Sequence, residues 1–440
     1  MFICIFSEKI LFTFGKFLNF VNIHYMNLKF RLTVMQFLEF FIWGAWLISF
    51  GGYLMAPEGA LEKPATPEQV GLIFATAGFA SLLMPGIVGI IADKWLNSER
   101  LLGICHLLGA VFLFFASQAT SYSSLFPWML LNAVVYMPTI ALSYSVCYSL
   151  LNKANLEPIT AFPPIRVWGT VGFIVAMWFI DLMGWKISPN QLLFASVAAL
   201  ALGIYSFTLP PSPPVKTKAK TSWKTAFGLD ALVLFKQRQM VIFFLFSVLL
   251  GVCLQITNSF GSSFILGFGD KSVYGEIYSG SFAVLHSNIF LSISQISETL
   301  FILTIPFFLR KFGIKTVILM SFFAWVLRFG LYGIGNPGDG VFWLIASMII
   351  YGMAFDFFNI SGSLYIEKET PEYIRASSQG LFMMATNGFG AVLGNVGAGL
   401  VVGRFTNGGV TNWSLSWFAF AVYALIIGIL FAVFFRYKKS

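Results

Sequence analysis

Residues 211–262 read PSPPVKTKAKTSWKTAFGLDALVLFKQRQ and then MVIFFLFSVLLGVCLQITNSFGS. The first part, Pro211–Gln239, opens proline-rich and basic, so it should be extended and solvated. The second part, 240–262, holds no charged residue. About 20 apolar residues are what a helix needs to cross ~30 Å of hydrocarbon. The junction therefore reads as a solvated linker followed by a membrane span.

Runs of this kind recur on both sides of the linker. Twelve are placed, at 33–56, 69–92, 100–120, 125–150, 164–183, 190–210, 240–262, 286–309, 316–335, 342–366, 376–402 and 411–435. Composition agrees: of 440 residues 58% are hydrophobic, 18% aromatic and 10% charged, with 51 Phe and a mean hydropathy of +0.82. A soluble domain carries about 25% charged residues. A water-soluble globular protein, a disordered chain and a fibrous repeat are excluded. Hydrocarbon offers no water to backbone groups, so the spans must be helices, and a barrel would show short alternating segments instead.

The net charge is +9, from 27 Lys and Arg against 18 Asp and Glu. Basic residues between apolar spans report orientation rather than nucleic-acid binding. With the amino terminus inside and counting from Met26, the inside segments hold Lys29, Arg31, Lys94, Arg100, Lys153, Lys216, Lys218, Lys220, Lys224, Lys236, Arg238, Arg310, Lys311, Lys315, Lys368, Arg375, Arg436, Lys438 and Lys439. The outside segments hold Lys63, Lys186, Lys271 and Arg404. Both termini are expected in the cytoplasm.

The linker divides the spans six and six. The expected plan is an N-terminal six-helix half over 26–210, a cytoplasmic linker over 211–239 and a C-terminal six-helix half over 240–440. This is the layout of a secondary transporter with its substrate between the halves near the membrane midplane. Residues 1–25 are broken by Lys9 and Lys16 and lack a small-residue cleavage site. They are read as preceding the true start at Met26, or else as an interfacial segment on the cytoplasmic leaflet. Cys4, Cys105, Cys147 and Cys253 lie in apolar stretches without metal-like or redox-like spacing, and are read as free thiols.

Gly89-Ile-Ile-Ala-Asp93-Lys94 closes the second run, and Arg100 follows. The pattern resembles the G-x-x-x-D-R/K signature of the major facilitator superfamily. Gly89 would permit close helix approach, while Asp93, Lys94 and Arg100 would pair as a conformational latch. The alternative is a simple charged turn. Arg310, Lys311, Gly313 and Lys315 echo it weakly in the second half, without the aspartate.

Ionisable residues inside spans are costly and mark pathways. Asp356 sits mid-span among aromatics in YGMAFDFFN (351–359) and suits a carboxylate that carries a coupling proton; the alternative is a structural ion pair. Gln295 and Glu298 share a helix face and offer donors and acceptors to a polar ligand, or else bond between helices. Arg166 follows Pro163-Pro164, with Thr170 on the same face, and reads as a substrate ligand, a carboxylate partner or a headgroup anchor. The prolines should break the preceding turn. Gln255 and Asn258 share a face and can read hydroxyls and base edges; Asn359 and Asn387 are similar. Glu39 reads equally as a second proton site or a packing partner. Arg328 is placed at the outer interface with no role. His106 and His286 are placed at membrane interfaces, and no histidine has a metal-ligand neighbour. Gly388, Gly390 and Gly394 read as close helix packing, and no Walker loop is present.

The segments ADKWL (92–96), FPPIRVWGT (162–170), LQITNSFG (254–261), SISQISETLFILTIPFFL (292–309) and YGMAFDFFNISGSLYIEKE (351–369) resemble the bacterial nucleoside:proton symporters of the major facilitator superfamily. The resemblance runs over nearly the whole chain from Met26. It implies proton-driven import of purine and pyrimidine nucleosides such as uridine across the bacterial inner membrane. It implies a substrate site of Arg166, Thr170, Phe173, Gln255, Asn258, Gln295, Glu298, Tyr351, Phe355 and Asp356, with Phe173, Tyr351 and Phe355 stacking on the base and Asp356 and Glu298 coupling the proton. The expected partners are nucleosides, protons and the lipid bilayer, with no nucleic acid, no cofactor and a functional monomer. The alternative substrate is another neutral hydroxylated solute, a sugar or a single nucleoside such as xanthosine. No nucleophile–base or metal cluster supports an enzyme.

Overall fold

The structure, a computed structural model, describes residues 28–57, 61–214, 229–371 and 374–437. Residues 1–25 and linker residues 215–228 lie outside the described residues. The helices, in chain order, are α1 Leu28–Gly44, α2 Leu47–Met55, α3 Pro67–Lys94, α4 Ser98–Ser117, α5 Tyr122–Lys153, α6 Pro158–Leu182, α7 Asn190–Ser206 and α8 Arg238–Gly267. Three short turns follow, α9 Lys271–Tyr274, α10 Phe282–Leu285 and α11 Ser287–Leu291. Then come α12 Ile293–Ile334, α13 Val341–Glu369, α14 Arg375–Met383, α15 Gly390–Arg404 and α16 Trp413–Phe434. A two-stranded antiparallel ribbon, β1 Thr406–Asn407 and β2 Val410–Thr411, joins α15 to α16.

Ten helical segments among the described residues are long and apolar enough to span a bilayer, against twelve separate runs expected. The difference has two sources. Ser287–Ile334 counts once although it holds 48 residues, roughly 72 Å of helix and about twice the hydrocarbon thickness. Gly313 breaks it, with φ 76° and ψ 167°, a conformation that a Cβ would strain. The run expected over 190–210 forms a helix of 17 residues that ends at Ser206. The prolines also behave differently from expectation: α6 starts at Pro158, and Pro163 and Pro164 lie inside it.

Two helix starts carry reciprocal caps, Thr66 with Gln69 before α3 and Ser121 with Ser124 before α5. Helices before the linker pack on one another: α1 on α6 and α7, α4 on α5 and α7, α3 on α5. After the linker, α12 packs on α13 and α16, and α8 on α15. Contacts between the two groups run along α2 with α8, α3 with α15, and α6 with α11 and α12. They concentrate at one end of the bundle. Gly51 faces the Ser259 carbonyl, and Gly71 and Gly399 meet backbone to backbone. At the opposite end a Cβ built on Gly89 or Gly380 would meet nothing within 4 Å. Gly89 therefore makes no close helix approach here, contrary to the reading of its motif.

Candidate functional site

Two helices of the second group bring the acidic candidates together. A Cβ on Gly352 would fall 2.6 Å from the Ser297 carbonyl oxygen, so α13 lies against the backbone of α12. That approach sets Tyr351 beside Gln295 and within the field of both Glu298 and Asp356. Glu298 is half-buried; Asp356 is buried, and its Oδ2 has no hydrogen-bond partner. The two carboxylates act on one another electrostatically. One turn from Tyr351, Phe355 presents a parallel ring, with 2° between the planes and 5.8 Å between centroids.

Arg328 is correctly placed by the structure inside this wall rather than at the outer interface. It is 3% exposed. Its guanidinium carbon lies 4.5 Å from the Tyr351 ring centroid, and Nη1 donates to the Ser347 carbonyl at 2.9 Å. The guanidinium is held there by aromatic faces, the Ser347 carbonyl and the Ser294 hydroxyl.

The first group of helices supplies the basic side. Gly172 packs on the backbone of Phe37 and Gly44 on that of Phe173, which locks α6 to α1. Arg166 projects from this pair. Its guanidinium carbon sits 3.9 Å from the Phe40 centroid, and Nε donates to the Tyr144 hydroxyl at 2.6 Å. Its charge reaches Glu298 in the other group. Thr170 is half-buried one turn along α6, and Phe173 is buried with its ring edge-on to Trp43 at 6.4 Å. Neither Phe40 nor Tyr144 had any spacing signal in the sequence.

Gln255 and Asn258 are both half-buried on α8. The helix there is fixed by α15: Gly394 abuts Val252 and the Gln255 Cβ, and Ser259 Oγ donates to Asn395 Oδ1. Gly388 packs on Leu82 and Gly390 on the Gly251 Cα, as close helix packing requires. Between α14 and α15 the helix passes through a π-helical turn, Met384–Phe389, a deviation that often marks functional sites. Asn387 on that turn donates to Met383 Sδ at 3.8 Å, and Asn359 is half-buried on α13.

Of the latch residues, the Asp93 side chain lies outside the described residues and Arg100 is exposed. Nearby, the buried Glu99 accepts from the Ser212 backbone N–H at 2.7 Å and from Asn97 Nδ2 at 3.0 Å. His106 is not at an interface. It is 2% exposed, and Nε2 lies 2.8 Å from Glu39 Oε2.

At the end where the groups meet, a cluster unmarked in the sequence joins α6 to α11. The buried Asp181 accepts from His286 Nδ1 at 3.0 Å and from the backbone N–H groups of Asn288 at 2.7 Å and Ile289 at 3.2 Å. Trp178 Nε1 donates to Ser292 Oγ at 2.8 Å. In the following loop Lys186 Nζ donates to the Val284 carbonyl at 2.8 Å and to that of Leu285. Burial holds the Lys186 ammonium below the usual lysine range, with Asp181 opposing the shift.

A cation and two carboxylates thus face one another across two helix groups, beside a pair of parallel aromatic rings. The arrangement can hold an aromatic, hydroxylated, neutral molecule and a proton. Comparison with known proteins points the same way. The chain is 50% identical to the xanthosine permease of Escherichia coli (strain K12) over 94% of its own length and 97% of that protein's. It is 46% identical to the nucleoside permease NupG of the same organism, again over 94% and 97%. The crystal structure of nucleoside transporter NupG superposes with a TM-score of 0.86, at 45% identity, over 94% of this chain and 100% of that one. A bacterial homologue of the lysosomal transporter Spinster, at 15% identity and a TM-score of 0.66, shares the fold. Residues 26–440 match the family described as nucleoside H+ symporter, and the chain belongs to that family of proton-coupled nucleoside transporters, not to a family of enzymes.

Proposed function

We propose that the protein imports purine and pyrimidine nucleosides across the bacterial inner membrane by alternating access, driven by protons. The single observation that carries the site is the pairing of parallel Tyr351 and Phe355 rings with a buried Asp356 whose Oδ2 is unpartnered. In this reading the base stacks on Tyr351, Phe355 and Phe173. The ribose and base edges are held by Arg166, Thr170, Gln255, Asn258, Gln295, Glu298 and Asp356. Asp356 and Glu298 carry the coupling proton. Asp356 takes it from the outer side, loss of charge admits nucleoside, the halves rock, and both leave inward. One charge crossing ~100 mV contributes about 2.3 kcal/mol, roughly 50-fold accumulation.

The same reading takes twelve crossings in two six-helix halves, 26–210 and 240–440, joined by a cytoplasmic linker over 211–239. Ser287–Ile334 supplies two of the crossings and Asn190–Ser206 a short one. Both termini are cytoplasmic, and the transporter works as a monomer in the lipid bilayer. The end closed by Asp181 is then periplasmic, and the conformation opens inward. Gly89, Asp93, Lys94 and Arg100 latch the cytoplasmic end in the opposite state.

Labelled uridine uptake into proteoliposomes, with and without an imposed inward proton gradient, tests this. Accumulation that collapses with a protonophore is the expected result. Uptake indifferent to the gradient would make the chain a facilitator. A narrower reading, transport of xanthosine alone, is favoured by the higher identity to the xanthosine permease, 50% against 46%. Competition of uridine uptake by adenosine and xanthosine separates the two.

A further inference from the structure

We infer that Glu39 and His106 form a second proton-binding site, buried in the N-terminal half and separate from Asp356 and Glu298. The inference rests on the proposed transport reading. Glu39 is 0% and His106 2% exposed, with Oε2 and Nε2 2.8 Å apart. The other carboxylate oxygen accepts from Thr139 Oγ1 at 2.6 Å, and the Glu39 backbone carbonyl accepts from the Tyr136 hydroxyl at 2.7 Å. Three helices, α1, α4 and α5, converge on one carboxylate.

The charge of this pair suits it to binding a proton. With a neutral imidazole it carries one negative charge in a dry interior. One added proton, on the ring or on the carboxylate, brings the pair to zero. An isolated buried charge is costly and a neutral pair far less so. Imidazole titrates ordinarily within the physiological range. The titratable groups that face the pair are Cys105 on α4, and Tyr136 and Cys147 on α5. Tyr144 on α5 and Arg166 on α6 act on Tyr136. The one cation among them, Arg166, is engaged by Phe40 and Tyr144.

A small cavity lies near the pair, and ring contacts link the pair to the proposed substrate site. A cavity of about 20 Å³, room for one water, lies among Trp46, Phe50, Thr76, Met129 and Asn132. Asn132 is 2% exposed, and its Oδ1 has no partner. It stands one turn before Tyr136, whose ring is 6.1 Å from that of His106. The cavity lies on the side of the pair toward the Asp181 end. Coupling to substrate needs no long path: Phe40, the residue after Glu39, carries the Arg166 guanidinium. Tyr136 also touches Trp43, which touches Phe173.

The test reads the protonation of His106 directly. The chain has three histidines, so ¹⁵N-histidine solid-state NMR of the full protein in proteoliposomes yields three pairs of ring signals, one Nδ1 and one Nε2 for each. His24→Gln and His286→Gln assign two of them, and His106 is the third. The expected result is that His106 changes charge state on titration, and that saturating uridine moves the midpoint. Linkage is reciprocal: a tenfold difference in uridine affinity between the two protonation states moves the midpoint by about one pH unit. Glu39→Gln should shift the midpoint in the absence of uridine. A His106 that keeps one state throughout, or titrates without responding to uridine, overturns the inference and leaves a structural pair. Wild-type vesicles that accumulate uridine while His106 stays silent sink only this site. Vesicles that accumulate none sink the transport reading itself.

Discussion

The rings of Tyr351 and Phe355 lie within 2° of parallel, 5.8 Å apart, on successive turns of one helix. Arg328 backs the first of them at 4.5 Å. The second has no cation behind it among the contacts seen. The pair is therefore a supported face and a free face, and the two should tolerate change differently.

Phe355→Leu should raise the uridine KM by roughly 5- to 150-fold, the range of about 1–3 kcal/mol for base–aromatic stacking. The turnover rate should change little, since stacking is made equally in bound and translocating states. Initial-rate uptake across a uridine concentration series gives both parameters. An unchanged KM would remove Phe355 from the substrate wall.

Asp356→Asn should abolish uphill uptake. An accumulation ratio of roughly 50 at ~100 mV should fall to unity. The ratio at steady state in proteoliposomes is the measurement. Full concentrative uptake by this variant would transfer the coupling proton elsewhere.

Asp181→Ala should loosen one end of the bundle. The substitution leaves the Asn288 and Ile289 N–H groups without their acceptor, at a cost of about 1–3 kcal/mol for buried groups left unpaired. Spin labels introduced at Lys63 and Lys271 should report a broader, longer distance distribution than in wild type. An identical distribution would mean that the backbone contacts at Gly51 and Gly71 close this end unaided.

Gly352→Val should lower thermal stability. Its Cβ would stand 2.6 Å from the Ser297 carbonyl oxygen and 2.8 Å from its carbon. Overpacking of this kind costs about 1–3 kcal/mol. A melting temperature equal to wild type would show that α12 and α13 can part without penalty.

Much of the architecture was readable from local pattern, because the bilayer makes each span a run of fixed length and charge. The readable residues also include Asp356, Glu298 and Arg166, since an ionisable group in a span is conspicuous. What stayed hidden depends on partners far apart in sequence. His106 looked like an interface residue because Glu39 is 67 positions away. Arg328 looked peripheral because its aromatic support, Tyr351, lies on another helix. Asp181 gave no signal at a span's end, since its partners come more than a hundred residues later. The break at Gly313, where φ is 76°, falls between the runs that the sequence places at 286–309 and 316–335.

The seam between Gly71 and Gly399 has a mechanical meaning. There two backbones face one another, their Cα atoms unshielded by side chains. Interlocked side chains act as gear teeth: one helix turns past another only by withdrawing each tooth in sequence. A smooth bearing has no teeth to withdraw, so the helices on either side can roll or slide without rotamer changes at that point. Resistance to motion should then come from the polar ties around Asp181, and these can be broken and remade one hydrogen bond at a time.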